Sequence, residues 1–209
     1  MDEPATVHVV DDDAAVRDSL RVLLEAAGFT VRTHASAGAL LAAEPEPLGC
    51  VLTDVRMPEI DGLELQRLLN ASGIGLPVIV MTGHGGVPVA VSAMKEGAVD
   101  FLEKPFDDEQ LLRAIRRAVE QSRQHQAREL AAAEAAARLA QLTRREREVL
   151  DRLVGGLSTK AIAKALGASP RTIEVHRARV FEKLKAGNLP DLVRLVLAAD
   201  PAGARRPDS

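Results

Sequence analysis

Thr6-Val7-His8-Val9-Val10-Asp11-Asp12 is a β-branched run that stops at two adjacent carboxylates, and the pattern recurs along the chain. Cys50-Val51-Leu52-Thr53 runs into Asp54, Val78-Ile79-Val80-Met81 into Thr82, and Phe101-Leu102-Glu103 into Lys104. Short apolar runs alternating with helix-length segments specify βαβ units and a parallel sheet. The strands of such a sheet all point one way, so their end residues gather along the carboxyl edge, where open α/β sheets bind ligands. Asp11, Asp12, Asp54, Thr82 and Lys104 are therefore expected in one site.

The spacing predicts strands over 6–10, 30–33, 50–53, 78–81 and 100–103, alternating with helices over 14–27, 37–43, 62–70, 87–96 and 107–121. Gly28 and Gly97 fall where helix C-caps take a left-handed residue. Gly83-His84-Gly85-Gly86 resembles a phosphate-binding loop but lacks the Lys-Ser/Thr ending, which argues against a nucleotide site.

Three carboxylates at one edge repel one another unless a cation sits among them, and oxygen ligands suit a hard divalent ion, Mg²⁺ best. Lys104 and Thr82 supply the positive charge and hydroxyl that a phosphoryl group's oxygens require. Asp54 is then the nucleophile. Adjacent Asp residues also cap helices, and Asp13 is assigned that role.

The 209 residues, 46% of them apolar, have room for two domains. A formal net charge of −3 conceals an asymmetry: residues 1–120 hold 20 acidic and 10 basic side chains, residues 121–209 hold 10 and 17. The halves carry about −10 and +7, suiting a metal site and a polyanion such as DNA respectively. Tyr and Trp are absent and Phe is scarce, which disfavours aromatic stacking on single strands. The lone Cys50 reads as a small buried hydrophobe. No signal peptide and no apolar stretch of membrane length is seen, so a cytoplasmic protein without a membrane role is expected.

Residues 107–142 carry the last helix of the acidic half on into an Ala-, Glu- and Arg-rich linker in the basic half. Its near-heptad (Leu112, Ile115, Val119, Ser122, Gln126, Leu130, Ala133, Ala137) is too polar and small to hold a coiled coil alone. Thr143 and Glu146 form a capping box, Ser158 caps a second helix ending at Gly167, and Ser169-Pro170 opens a third. On that third helix Ile173, His176, Arg177, Val180, Phe181 and Leu184 share a packing face. Thr172, Glu174, Val175, Ala178 and Arg179 lie mostly on the other, as a major-groove reading helix requires. His176 is expected to be packed and hydrogen-bonded, since no Cys or His stands at zinc spacing.

VVDDD, LTDVRMPEIDG, VIVMTGHG and DFLEKPF together resemble the four signature segments of bacterial response-regulator receiver domains, over residues 1 to about 121. Residues 140 to about 200 resemble the LuxR-type output domain, as joined to receivers in FixJ/NarL-type regulators. Ala168 departs from the larger aliphatic residue usual there. The resemblance implies a flavodoxin-like receiver at 1–121 with a five-stranded doubly wound parallel sheet, a helical linker at 122–141, an all-α helix-turn-helix domain at 142–200 and a disordered tail at 201–209. It implies that Asp54 accepts phosphate from a sensor histidine kinase. Asp11, Asp12, Asp54 and the Arg56 carbonyl would hold Mg²⁺, Thr82 and Lys104 contact the phosphoryl group, and Phe101 act as the aromatic switch. A cis Lys104-Pro105 bond is implied as well.

In the output domain the resemblance implies that Glu174, Val175, Ala178 and Arg179 face bases of double-stranded promoter DNA, and that Lys160, Thr172, Arg177 and Lys183 meet phosphates. A homodimer formed on phosphorylation and contact with RNA polymerase follow from the same likeness, as does a regulator that assists its own phosphorylation and dephosphorylation instead of an enzyme. The linker and opposite charges suggest that the unphosphorylated chain masks its output domain. The Asp, Thr and Lys set also resembles haloacid-dehalogenase-type phosphatases, but those place a second Asp two residues after the nucleophile, where Arg56 stands. A constitutive DNA binder with a vestigial receiver is disfavoured because no site residue is lost. Arg56 and His84 flank the site and are expected to influence acyl-phosphate lifetime.

Overall fold

The computed structural model describes residues 5–83 and 86–199, so His84 and the tail expected at 201–209 lie outside the described residues. Five strands, β1 (Thr6–Val10), β2 (Thr30–His34), β3 (Gly49–Asp54), β4 (Val78–Thr82) and β5 (Asp100–Glu103), form one parallel sheet in the order β2-β1-β3-β4-β5. Between them lie α1 (Ala14–Ala26), α2 (Ala37–Ala42), α3 (Gly62–Ala71) and α4 (Gly86–Lys95). Strand order reverses at β1 and β3, placing a crevice where the connections leaving these two strands pass to opposite faces of the sheet.

The β1, β3 and β4 residues are almost all buried because helices cover both faces, which explains their continuous apolar character. Alternate residues serve two cores. Val7, Val9, Cys50, Leu52, Ile79 and Met81 pack with Leu20, Leu24, Leu111 and Ile115; Val10, Val51, Val78 and Val80 pack with Leu40, Leu65 and Leu69.

The sheet's upper edge is drawn tight by α3. A Cβ on Gly62 would lie 2.2 Å from the Asp54 carbonyl oxygen, so glycine is required for the helix to start against the end of β3. The Gly62 amide donates to the Val55 carbonyl at 3.0 Å, fixing the loop that carries Arg56.

The chain divides into two compact units, residues 1–126 and 127–209. Helix α5 (Asp108–Leu139) is continuous through 32 residues and crosses that division. Of its expected heptad, Leu130, Ala133 and Ala137 are exposed, whereas Ser122 is buried. The Ser122 hydroxyl accepts from the Gly49 amide and donates to the Pro47 carbonyl, both at 3.1 Å, tying α5 to the start of β3.

The second unit holds α6 (Arg144–Val154), α7 (Thr159–Leu166), α8 (Pro170–Leu184) and α9 (Leu189–Ala199). The sequence reading contained three of these and omitted α9, which supplies Leu192, Leu195, Val196 and Ala199 to a core with Leu150, Val180 and Leu184. A second core joins Val149, Leu153, Ile162, Ala163 and Ile173, with Ala168 packed against it.

Candidate functional site

The acidic edge is built by β1, β3 and the loop after β5. The Asp11 side chain is 3% exposed and that of Asp54 13%, and Lys104 reaches both. Its ammonium donates to Asp54 Oδ1 at 2.6 Å and to Asp11 Oδ2 at 2.9 Å. Burial works to lower the Lys104 pKa, but the hydrogen bonds and charges of Asp54 and Asp11 outweigh it and hold the group above its ordinary value. The Lys104-Pro105 bond is cis.

The remaining carboxylate oxygens are also engaged. Asp11 Oδ1 accepts from the Asp13 amide at 2.9 Å, and Asp54 Oδ2 from the Arg56 amide at 2.6 Å. Asp13 caps α1 by accepting from the Ala15 amide at 2.8 Å, as its position predicts. Thr82 ends β4 beside Glu103 in register and is 1% exposed. The Lys104 amide donates to the Thr82 carbonyl at 2.7 Å. Phe101 is half-buried on β5 against the core that contains Val80, Ala93 and Ala98.

Asp12, next to Asp11 in the chain, is exposed, and among the described residues it makes no hydrogen bond or ion pair. The oxygen donors Asp11, Asp12, Asp54 and the Arg56 carbonyl fit Mg²⁺ chemically. Among the described residues, however, no three carboxylates or other metal-binding side chains close around one point. Two of the three carboxylates converge on an ammonium instead.

Sequence reasoning missed Arg17 and a buried imidazole pair here. Arg17 Nη1 donates to the Asp11 carbonyl at 2.6 Å. His8 and His34 are buried with Nδ1 of the first 3.2 Å from Nε2 of the second, and the His34 carbonyl accepts from the Asp11 amide at 3.3 Å. Burial first, then the neighbouring His34, lowers the His8 pKa to about 4. His8 and His34 lie 26 residues apart, so no local signal announced that pair.

In the second unit, Ser158 caps α7, Gly167 ends it with φ 61°, and Ser169 caps α8 with Pro170 in its first turn. Ile173, Val180 and Leu184 are buried, whereas Thr172, Glu174, Val175, Ala178 and Arg179 are exposed on the opposite face, with Lys160 exposed on α7. Arg177 differs, its guanidinium donating to the Thr159 hydroxyl. Lys183 differs too: its ammonium donates to Glu146 Oε2 at 2.6 Å and to the Gln141 carbonyl at 3.2 Å. Lys183 and the capping-box bonds of Thr143 hold the buried Glu146 carboxyl below its usual pKa. His176 Nδ1 is buried and forms no hydrogen bond among the described residues, so the bond expected there is not found at that nitrogen.

A parallel five-stranded sheet with an acidic carboxyl edge, followed by a helix-turn-helix, defines a signal-receiving domain joined to a DNA-binding one. Residues 7–116 match the response regulator receiver domain, and residues 140–196 match the luxR family of bacterial regulatory proteins. The chain belongs to the FixJ-like response regulators, in which a receiver is joined to a LuxR-type DNA-binding domain.

It is 56% identical to the transcriptional regulatory protein FixJ of Azorhizobium caulinodans, over 98% of this chain and 97% of that protein. Identity to FixJ of Bradyrhizobium diazoefficiens is 50%, over 92% and 95% of the two chains. Among solved structures, the response regulator StyR superposes with a TM-score of 0.79 at 42% identity, covering 93% of this chain and 98% of its own. Full-length FixJ from B. japonicum gives 0.57 at 49% identity, covering 94% and 98%. Membership makes this protein a response-regulator transcription factor whose regulation fits phosphorylation, not a canonical enzyme, and implies a sensor kinase as partner and DNA binding. No described helix is long and apolar enough to cross a membrane.

Proposed function

We propose that a sensor histidine kinase phosphorylates Asp54 and that the acyl phosphate switches the second unit into use. The observation that carries this reading is the Lys104 ammonium, bonded at once to Asp54 and Asp11. A phosphoryl group arriving on Asp54 brings new anionic oxygens to a cation already in place. In the transfer, the N–P bond of phosphohistidine breaks as the Asp54 oxygen–phosphorus bond forms, and the freed imidazole takes up a proton. Mg²⁺, held by Asp11, Asp12, Asp54 and the Arg56 carbonyl, would neutralise the charge of the phosphoryl oxygens. Positioning and electrostatics then supply most of the catalysis, which the domain provides for its own phosphorylation and dephosphorylation.

Thr82 and Phe101 form the switch: the hydroxyl moves toward the phosphoryl oxygens and the ring follows, changing the surface of α4 and β5. That surface dimerises the protein in the cytoplasm, so that two α8 helices address two half-sites and RNA polymerase is engaged at the promoter. Glu174, Val175, Ala178 and Arg179 face bases; Lys160 and Thr172 meet phosphates. Arg177 and Lys183 reach phosphates only by leaving Thr159 and Glu146, so their first contribution is to hold the domain together. The working segments are 1–121 as receiver, 122–141 as linker and 142–200 as output domain.

The test is chemical. After incubation with acetyl phosphate and Mg²⁺, borohydride reduction and peptide mass analysis place the acyl phosphate. A modified peptide containing Asp54, absent from the Asp54→Asn protein, is expected; modification at another residue contradicts the assignment.

A further inference from the structure

The turn of residues 11–13 is held through the polar groups of Asp11 and Asp13. The Asp11 amide donates to the His34 carbonyl, Asp11 Oδ1 accepts from the Asp13 amide, and Asp11 Oδ2 accepts from Lys104. The Asp13 carboxylate caps α1, and its carbonyl accepts from the Arg17 amide at 3.1 Å. One further bond completes the set. Arg17, half-buried on the first turn of α1, sends its guanidinium back to the Asp11 carbonyl at 2.6 Å. Asp12, Asp13 and Asp18 are all close in sequence, yet among the described residues Arg17 forms no ion pair with any of them. A guanidinium bonded to one backbone carbonyl, and paired with none of the acidic residues beside it in sequence, orients that peptide group.

The peptide it orients joins Asp11 to Asp12. Its plane helps set the direction in which the Asp12 side chain leaves the backbone, and among the described residues Asp12 is the one acidic-edge carboxylate without a hydrogen bond or ion pair. We infer that Arg17 is a positioning residue of the acidic pocket, fixing the Asp11-Asp12 peptide so that the Asp12 carboxylate can reach a divalent cation. This rests on the reading of the pocket as a Mg²⁺-dependent phosphoacceptor site. Arg17 touches neither cation nor phosphate; it acts through the turn.

Charge and position predict opposite signs. A guanidinium beside the pocket repels a second cation, so its removal strengthens Mg²⁺ binding if charge is all that it contributes. If it holds the turn, removal weakens binding, by about tenfold on the scale seen when the outer hydrogen-bond partners of metal ligands are deleted.

The experiment titrates Mg²⁺ into full-length wild type, Arg17→Ala and Arg17→Lys while following the backbone amide shifts of residues 12 and 13, without a phosphodonor. Acetyl-phosphate labelling is then measured against Mg²⁺ concentration. A Mg²⁺ dissociation constant raised about tenfold in Arg17→Ala and partly restored in Arg17→Lys, which keeps a donor, is expected. The labelling rate at saturating Mg²⁺ should stay within about twofold of wild type. Unchanged or tighter binding in Arg17→Ala overturns the inference. Wild type that binds Mg²⁺ but acquires no label contradicts the phosphoacceptor reading instead, and the two failures are read from different proteins. Thermal unfolding of each variant separates a misfolded chain from a mispositioned turn, and Arg17→Lys then carries the comparison.

Discussion

Lys104 holds two carboxylates that would otherwise face each other across β1 and β3. Replacing it by Met leaves Asp11 and Asp54 close and uncompensated, and should cost about 1–3 kcal/mol at neutral pH in divalent-free buffer. Urea unfolding with and without Mg²⁺ checks this; the loss should shrink as Mg²⁺ is added. His8 gives a second handle. Its folded pKa of about 4 lies below the unfolded value near 6.5, so the unfolded chain takes up the proton first. The stability that neutral His8 contributes is complete above pH 6.5 and drains away as pH falls toward 4, by an expected 2–3 kcal/mol. Urea midpoints between pH 4 and 7 should fall more gently for His8→Gln. At this scale the sequence was legible where a side chain ends an apolar run: Asp11, Asp54, Thr82 and Lys104 all reach the carboxyl edge. It was illegible where geometry depends on a turn or a distant partner. Asp12 follows the buried Asp11 directly but is exposed, and His8 finds His34 across 26 residues.

At the scale of elements, every strand and helix of the first unit was expected, with ends displaced by a residue or so: β2 reaches His34, and β3 starts at Gly49 and ends at Asp54. Buried parallel strands between turn residues leave little ambiguity. Helix α9 was overlooked although its pattern is amphipathic, with Leu192, Leu195, Val196 and Ala199 on one side and the Asn188 side chain accepting from the Asp191 amide at its start. The Asn188-Leu189-Pro190 segment carries that start signal, a side-chain cap followed by Pro in the first turn. Ser122 was placed in a heptad seam, but its burial comes from β3, which no helical period reveals. Ser122→Ala strands the buried Gly49 amide and the Pro47 carbonyl, and should destabilise the first unit by about 1–2 kcal/mol in denaturant titration. Lys183→Met leaves Glu146 buried without its cation. Loss of about 3 kcal/mol from the second unit is expected in the same measurement, with DNA binding falling only as the folded fraction falls.

For the whole molecule, charge division separates the two tasks. The acidic half suits cation and phosphoryl chemistry, and the basic half a polyanion. DNA affinity should therefore fall linearly with the logarithm of salt concentration, and Lys160→Ala should reduce that slope by about one while weakening all sequences alike. Arg179→Ala should instead alter sequence preference at one position, at about 1–3 kcal/mol. Both are read by fluorescence anisotropy on a panel of duplexes. The central claim is that the Asp54 acyl phosphate changes the assembly of the chain. Sedimentation velocity with Mg²⁺, with and without acetyl phosphate, tests it most directly in wild type and Asp54→Asn. A phosphodonor-dependent shift from monomer to dimer in wild type alone is predicted; a wild-type chain that carries the phosphoryl group and sediments unchanged, or an Asp54→Asn chain that dimerises with it, contradicts the account.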